Sequence, residues 1–132
     1  MLLKIVTPER VVVETEVESF VGKTIDGMIG IQSRHIPLVT PLTVGIMSYT
    51  QNGQKYPLAV MGGLLSTDGK QVTVLTDAAE LSREIDSVRA TRAKERAEAE
   101  LRQLSDRREI AQAQESLARA LTRLKLVNGK KG

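Results

Sequence analysis

Glycine and proline vanish after Gly69 and return only at Gly129, and within that interval Ala, Glu, Arg and Leu take over. These residues favour helix, and a run without breakers leaves little to interrupt one. Before Gly69 the opposite holds. Turn chemistry recurs so often that only short extended segments fit between the breaks. Two such regimes in one chain predict two units: residues 1–82 as a β domain and residues 83–132 as a helical one.

In the first regime Leu2-Leu3-Lys4-Ile5-Val6 stops at Thr7-Pro8. Val11-Val12-Val13 leads into Val17-Glu18-Ser19-Phe20-Val21, whose alternation predicts a half-buried strand. Asp26-Gly27 marks a turn before Met28-Ile29-Gly30-Ile31. Asn52-Gly53 is the strongest hairpin signal, because a type I′ turn requires positive φ at both central residues. Its arms are Thr43 to Tyr49 and Lys55 to Met61. Asp68-Gly69 predicts a second hairpin between Leu64-Leu65-Ser66 and Gln71 to Leu75. Gly62-Gly63 is read as a bulge or turn. Short strands at this spacing argue for an antiparallel sandwich or a flattened barrel.

In the second regime a helix is expected from about Ser87 to Leu104, with Ala90, Ala93, Ala97, Leu101 and Leu104 as a narrow apolar seam. Asp106 followed by Glu109 resembles a capping box opening a second helix, from about Arg107 to Val127, stopped by Asn128-Gly129. Ile110, Ala113, Leu117, Leu121 and Leu124 would be its inward face. An alanine-rich seam allows close antiparallel packing but buries little area, so the hairpin should be marginally stable alone.

Charge follows the same division. Residues 1–82 carry six Lys/Arg against eight Asp/Glu, and residues 83–132 carry thirteen against eight, giving −2 and +5. The helical part therefore suits an acidic partner: a protein surface, a nucleotide or, less readily, nucleic acid. Asp86 is placed as an N-cap, its carboxylate facing the orphan N–H groups of the helix start. Arg89, Arg92 and Arg96 recur at helical spacing beyond it, and Arg119 and Arg123 repeat that spacing on the second helix. Five guanidinium groups on two faces can clamp one polyanion. Two ordinary solvated helix faces would show the same pattern.

Catalysis finds little support. His35 is the single histidine and cysteine is absent, so neither a His-based metal cluster nor a thiolate site can be built. Gly27-Met28-Ile29-Gly30 and Gly62-Gly63 lack the Lys-Ser/Thr and helix start of a phosphate loop. Glu14, Glu16 and Glu18 alternate along a predicted strand and are expected in solvent rather than paired in a cleft. Phe20, Tyr49 and Tyr56 are the only aromatics, too few for a base-stacking surface. No stretch of 18 apolar residues is present and the first residues lack a signal-peptide core, which predicts a cytosolic protein. A free-standing β module docking acidic partners or nucleic acid through its basic helices is the rival reading; the aromatic shortage and the interspersed Glu95, Glu98, Glu100 and Glu115 weigh against it. A small β-sandwich enzyme or sugar binder lacks its cleft signature.

Over nearly its full length the chain resembles the epsilon subunit of the bacterial F-type ATP synthase. The likeness lies in Val6-Thr7-Pro8-Glu9-Arg10, in Gly27-Met28-Ile29-Gly30-Ile31 followed by His35-Ile36-Pro37-Leu38-Val39, and in Met61-Gly62-Gly63. Met28 and Gln32-Ser33-Arg34 depart from the residues the family often carries there. The resemblance implies a mainly β fold with α: a ten-stranded antiparallel β-sandwich followed by a C-terminal two-helix hairpin. It implies a non-catalytic subunit of the central rotor stalk, partnered by the gamma subunit, the c-ring and the alpha and beta subunits. Such a subunit couples proton flow to ATP synthesis and inhibits hydrolysis through its helices. It sits at the cytoplasmic face of the bacterial plasma membrane, peripheral through the complex, with no nucleic-acid partner. Ile85-Asp86-Ser87-Val88-Arg89-Ala90 matches the motif by which some members bind ATP as a regulatory ligand. Carried over by position, the site comprises Glu80, Ile85, Asp86, Arg89, Ala90, Arg92, Arg96, Arg119 and Arg123. Glu80, Asp86 and the 85–90 backbone would read base and ribose while the arginines hold phosphates. Whether Mg²⁺ accompanies the nucleotide is left open.

Overall fold

The computed structural model describes residues 1–129, and they form two compact units, the first spanning Met1–Leu81 and the second opening at Ser82. Lys130, Lys131 and Gly132, included in the expected helical domain, lie outside the described residues.

The first unit holds eight strands: β1 (Leu2–Val6), β2 (Val11–Glu16), β3 (Ser19–Thr24), β4 (Gly27–Gln32), β5 (Leu38–Gln51), β6 (Gln54–Thr67), β7 (Gln71–Leu75) and β8 (Ala79–Leu81). They hydrogen-bond in the order β2-β1-β7-β6-β5-β3-β4, with β8 added to β6. β5 and β6 are 14 residues each, long enough to serve both layers. Their ladder is interrupted between the pairs Leu42–Gly63 and Val44–Met61, and Gly62 and Gly63 take φ of +78° and +120° there. The paired strands bend together at that point, so the sheet folds over itself. Counting each long strand once per layer recovers about ten strands, which reconciles the expected sandwich with the eight continuous elements seen.

The inner faces meet in one core. Leu3 and Ile5 of β1, Phe20 of β3, Ile31 of β4, Met47 of β5, Leu58, Val60 and Leu65 of β6, and Val72 and Val74 of β7 are all essentially buried. Every member of this core comes from the first unit. Gly22 of β3 lies where a Cβ would sit 3.2 Å from Leu42 and 3.4 Å from Leu65, so the layers approach closely over it.

Several local expectations are met for the reasons given. Asn52 and Gly53 adopt φ of +52° and +76°, as a type I′ turn requires. Tyr49 and Tyr56, opposite each other across that hairpin, stack with ring centroids 5.1 Å apart. In the β6–β7 turn the Asp68 carboxylate accepts from the Lys70 and Gln71 amides, both at 2.9 Å, and these bonds hold its pKa below the ordinary 3.8. Glu14, Glu16 and Glu18 are exposed; Glu16 accepts from the N-terminal ammonium at 3.0 Å and Glu18 from the Gly53 amide at 3.0 Å.

Two expectations need correction. Val17 and Glu18 are not the start of β3. Their amides donate to Met1 and Thr50 respectively, stitching the crossing between β2 and β3. The sheet is also not wholly antiparallel, because β1 and β7 pair in parallel from Leu2–Gln71 to Val6–Leu75. A parallel pair needs a long crossover connection, and the intervening β2–β6 supply it.

In the second unit a 3-10 turn (Ser82–Glu84) precedes α1 (Ser87–Gln103), which a short turn joins to α2 (Arg107–Gly129). Asp86 caps α1, its Oδ1 accepting from the Val88 and Arg89 amides at 3.0 and 3.1 Å. Asp106 caps α2 in the same way, through Arg108 and Glu109 at 2.9 and 3.1 Å. The helix continues through Asn128 and Gly129 rather than stopping before them. Ala90 and Ala97 of α1, with Ala113 and Ala120 of α2, are buried in the seam. Ala120, not Leu121, takes the central place, and Leu121 is 44% exposed. Ala120 is seven residues from Ala113, two turns and so nearly eclipsed, whereas Leu121 is rotated by about another 100°.

Two outcomes follow from this packing. A Cβ on Gly63 would overlap the Leu75 carbonyl oxygen at a backbone φ that side chains rarely adopt. Gly63→Ala should destabilise the β domain by roughly 3–5 kcal/mol. Gly53→Ala, at a positive φ but in open space, should cost only about 1–2 kcal/mol. Urea unfolding midpoints of the two variants check the difference. Asp106→Ala removes the α2 cap and should cost about 1 kcal/mol, read as roughly five-fold faster amide exchange at Arg108 and Glu109.

Candidate functional site

The residues singled out from the sequence fall into three places. Glu80 belongs to the first unit, half-buried on β8 opposite Ala59 of β6. Ile85 and Asp86 form the approach to α1: the Ile85 amide donates to Ser82 at 3.2 Å, and the Asp86 carboxylate caps the helix. Ala90 is buried. Its small side chain lets the α1 backbone run close to α2, and a larger one would hold the helices apart.

The five arginines divide by side. A helix with 3.6 residues per turn advances about 100° per residue. From Ala90, Arg89 and Arg96 lie about 100–120° around α1 in one sense, while Arg92 lies about 160° around. From Ala120, Arg119 and Arg123 lie about 60–100° around α2 in that same sense. Because the helices run antiparallel, equal senses bring side chains to the same side of the hairpin. Arg89, Arg96, Arg119 and Arg123 therefore share one flank. Arg92 sits apart from them on the outer face of α1, in a shallow depression with Ser87, Val88, Thr91 and Glu95.

Arg89 and Arg96 are exposed, and Arg119 and Arg123 are half-buried. Arg119 is the best defined. Its Nη2 donates to Glu115 Oε1 at 2.8 Å, one turn back on α2. Glu115 entered the sequence argument only as a charge unfavourable to nucleic acid. Its four-residue spacing from Arg119 was the available signal for a pair. A flank with four guanidinium groups at helical spacing can offer several charge-assisted donors to one phosphate chain, and Arg does so in bidentate fashion.

Other concavities are shallower in chemistry. One lies beside the Gly63 bend and is lined by Val6, Thr7, Pro8, Gly63, Leu75, Thr76 and Asp77; another lies over Gly30, with Arg34 and His35 at its edge. The His35 Nδ1 is 2.7 Å from the Ile36 carbonyl oxygen, a local contact within the bend. Among the described residues no cluster of three or more His, Asp or Glu is arranged to hold a metal, and no helix is long and apolar enough to cross a membrane.

Comparison with known proteins agrees across both units. Residues 1–82 match the family model of the ATP synthase delta/epsilon chain β-sandwich domain, and residues 83–128 that of its long α-helix domain. The ATP synthase epsilon chain of Caldicellulosiruptor bescii is 42% identical over 98% of this chain and 94% of its own length. That of Symbiobacterium thermophilum is 40% identical over 95% and 91%. Among solved structures, a chain of the Euglena gracilis mitochondrial ATP synthase superposes with a TM-score of 0.78 at 22% identity, covering 98% of this chain and 80% of that one. A chain from the central stalk and c-ring of the Tetrahymena thermophila enzyme gives 0.68 at 12%, covering 96% and 95%. The structural likenesses concern the fold, and the sequence matches concern descent: the chain belongs to the delta/epsilon chain family of ATP synthase.

Proposed function

We propose that this chain is a non-catalytic subunit of the central rotor stalk of an F-type ATP synthase, coupling proton flow to ATP synthesis and restraining ATP hydrolysis through its helical hairpin. Its partners are the gamma subunit, the c-ring, and the alpha and beta subunits. It works at the cytoplasmic face of the plasma membrane, bound there through the complex. The observation that carries this reading is family membership over both units, residues 1–82 and 83–128. The helical unit supplies the regulatory half: a weak alanine seam, a basic flank, and a short turn that lets the helices separate.

ATP is the proposed ligand of the closed hairpin. Ile85 to Ala90 forms the capped approach to α1, and Arg89, Arg96, Arg119 and Arg123 line one flank for the phosphates. Ligand at a hundred times its dissociation constant would stabilise the closed form by roughly 2.7 kcal/mol. Against a helix pair whose buried residues are four alanines and Leu126 that is a large term. High ATP would keep the hairpin closed, and low ATP would release it towards the acidic surface of beta, where it opposes hydrolysis.

Two experiments test these halves separately. Deleting residues from Ser82 onward should leave a folded β domain that still joins gamma and supports synthesis, because its core draws on no residue beyond Leu81. Inhibition of hydrolysis should weaken; an aggregated truncation, or one that no longer binds gamma, would show that the helices are part of the main core, and tagged full chain that brings down no gamma, alpha or beta subunit contradicts the rotor reading. For the nucleotide, calorimetry of the full chain with ATP, with and without Mg²⁺, should show saturable binding. Arg89→Ala and Arg123→Ala should each weaken it by roughly 1.5–3 kcal/mol, about 10- to 100-fold. Unchanged affinity in both variants would remove ATP from the mechanism.

A further inference from the structure

At the outer margin of the arginine flank, about 140° around α2 from Ala120, stands a carboxylate that reaches back to one of the four arginines. Glu115 lies one turn from Arg119 on α2, and its carboxylate already accepts from the Arg119 guanidinium at 2.8 Å. The order is the favourable one, with Glu N-terminal to Arg at four residues, so the helix itself holds the pair together. Glu115 is also level with Arg96: counted from the turn at Ser105, the two lie about nine and ten residues away along antiparallel helices. Its side chain is 58% exposed and that of Arg119 30%, so a solute can reach the pair and displace one partner.

We infer that Glu115 is an internal stand-in for phosphate: it engages the Nη2 end of Arg119 when the hairpin is empty and competes with a polyphosphate for that donor, so it sets how much ligand is needed to close the hairpin. This rests on the nucleotide reading above and adds its regulation. Two effects act in the same direction. The ligand competes with the Glu115 carboxylate for the Nη2 donor of Arg119, and the carboxylate stays at the margin of the flank as a like charge to the phosphates. An exposed pair of this kind is individually weak, and the residual repulsion acts through water, so together they amount to roughly three- to ten-fold in affinity rather than hundreds. The consequence is functional. A weak site answers to ATP over the range in which a cell's ATP varies, whereas a site relieved of Glu115 would stay filled.

The test is calorimetry of the full chain as parent, Glu115→Gln and Glu95→Gln, titrated with ATP, inorganic tripolyphosphate and adenosine. Gln keeps the helix propensity of Glu and removes only its charge. Glu95→Gln removes the same charge from the outer face of α1, beside Arg92. Glu115→Gln should bind ATP and tripolyphosphate roughly three- to ten-fold more tightly than the parent, with adenosine unchanged and Glu95→Gln indistinguishable from the parent. Binding of ATP by Glu115→Gln where the parent shows none is the same result in stronger form. Equal or weaker ATP binding by Glu115→Gln, or an equal gain in Glu95→Gln, overturns the role of Glu115 while leaving the nucleotide site standing. Absence of ATP binding in both the parent and Glu115→Gln overturns both.

Discussion

The joint bend of β5 and β6 is the constraint on which the β domain depends. A two-layer fold built from one continuous sheet needs its longest strands to turn a corner without losing their pairing. Here the ladder gives way only around Thr43 and Gly62, between the pairs Leu42–Gly63 and Val44–Met61. Gly63 supplies a φ of +120° against the Leu75 carbonyl, where a side chain has no room. The corner lets Leu65, Val72 and Val74 from one part of the sheet share a core with Phe20, Ile31 and Met47 from another. Without it the same strands would form a flat sheet with an exposed apolar face.

The helical unit is organised by the opposite principle, a shortage of buried area. Alanines at 90, 97, 113 and 120 allow the helices to approach closely but contribute little hydrophobic free energy, at ~25 cal/mol per Å². The two Asp caps hold the helix starts, and the pair Glu115–Arg119 stiffens α2. None of these is a strong tie between helices. The unit is therefore sensitive to anything that adds a few kcal/mol across it, and an anion held by its arginine flank would be one such addition.

That sensitivity would connect packing to the regulation proposed above. A rigid leucine seam would fix the hairpin in one state whatever the solution contained. A helix pair whose buried residues are mostly alanine would, on the proposed reading, leave the equilibrium to be set by ligand and partner, with Glu115 adjusting where the ligand term begins to matter. On the nucleotide proposal, the same surface charge would receive phosphate in the closed state and meet an acidic partner in an open one, so one set of arginines would serve both outcomes.

Much of this was local and so legible in the sequence. The Asn52-Gly53 turn, the Asp86 and Asp106 caps and the change of regime after Gly69 each follow from the conformational preference of a few adjacent residues. The motif from Ile85 to Ala90 was likewise readable as a contiguous pattern. What the sequence left undecided depended on residues far apart in the chain. The parallel pairing of β1 with β7 and the use of Val17 and Glu18 as a crossing need partners that no local signal names. The choice of Ala120 over Leu121, and the separation of Arg92 from the other four arginines, turn on where the second helix lies. Spacing fixes which residues share a helix face, but only the packed pair of helices decides which face points inward. The sequence determined the elements and their chemistry; the tertiary structure determined their sides, because a side exists only relative to a neighbour.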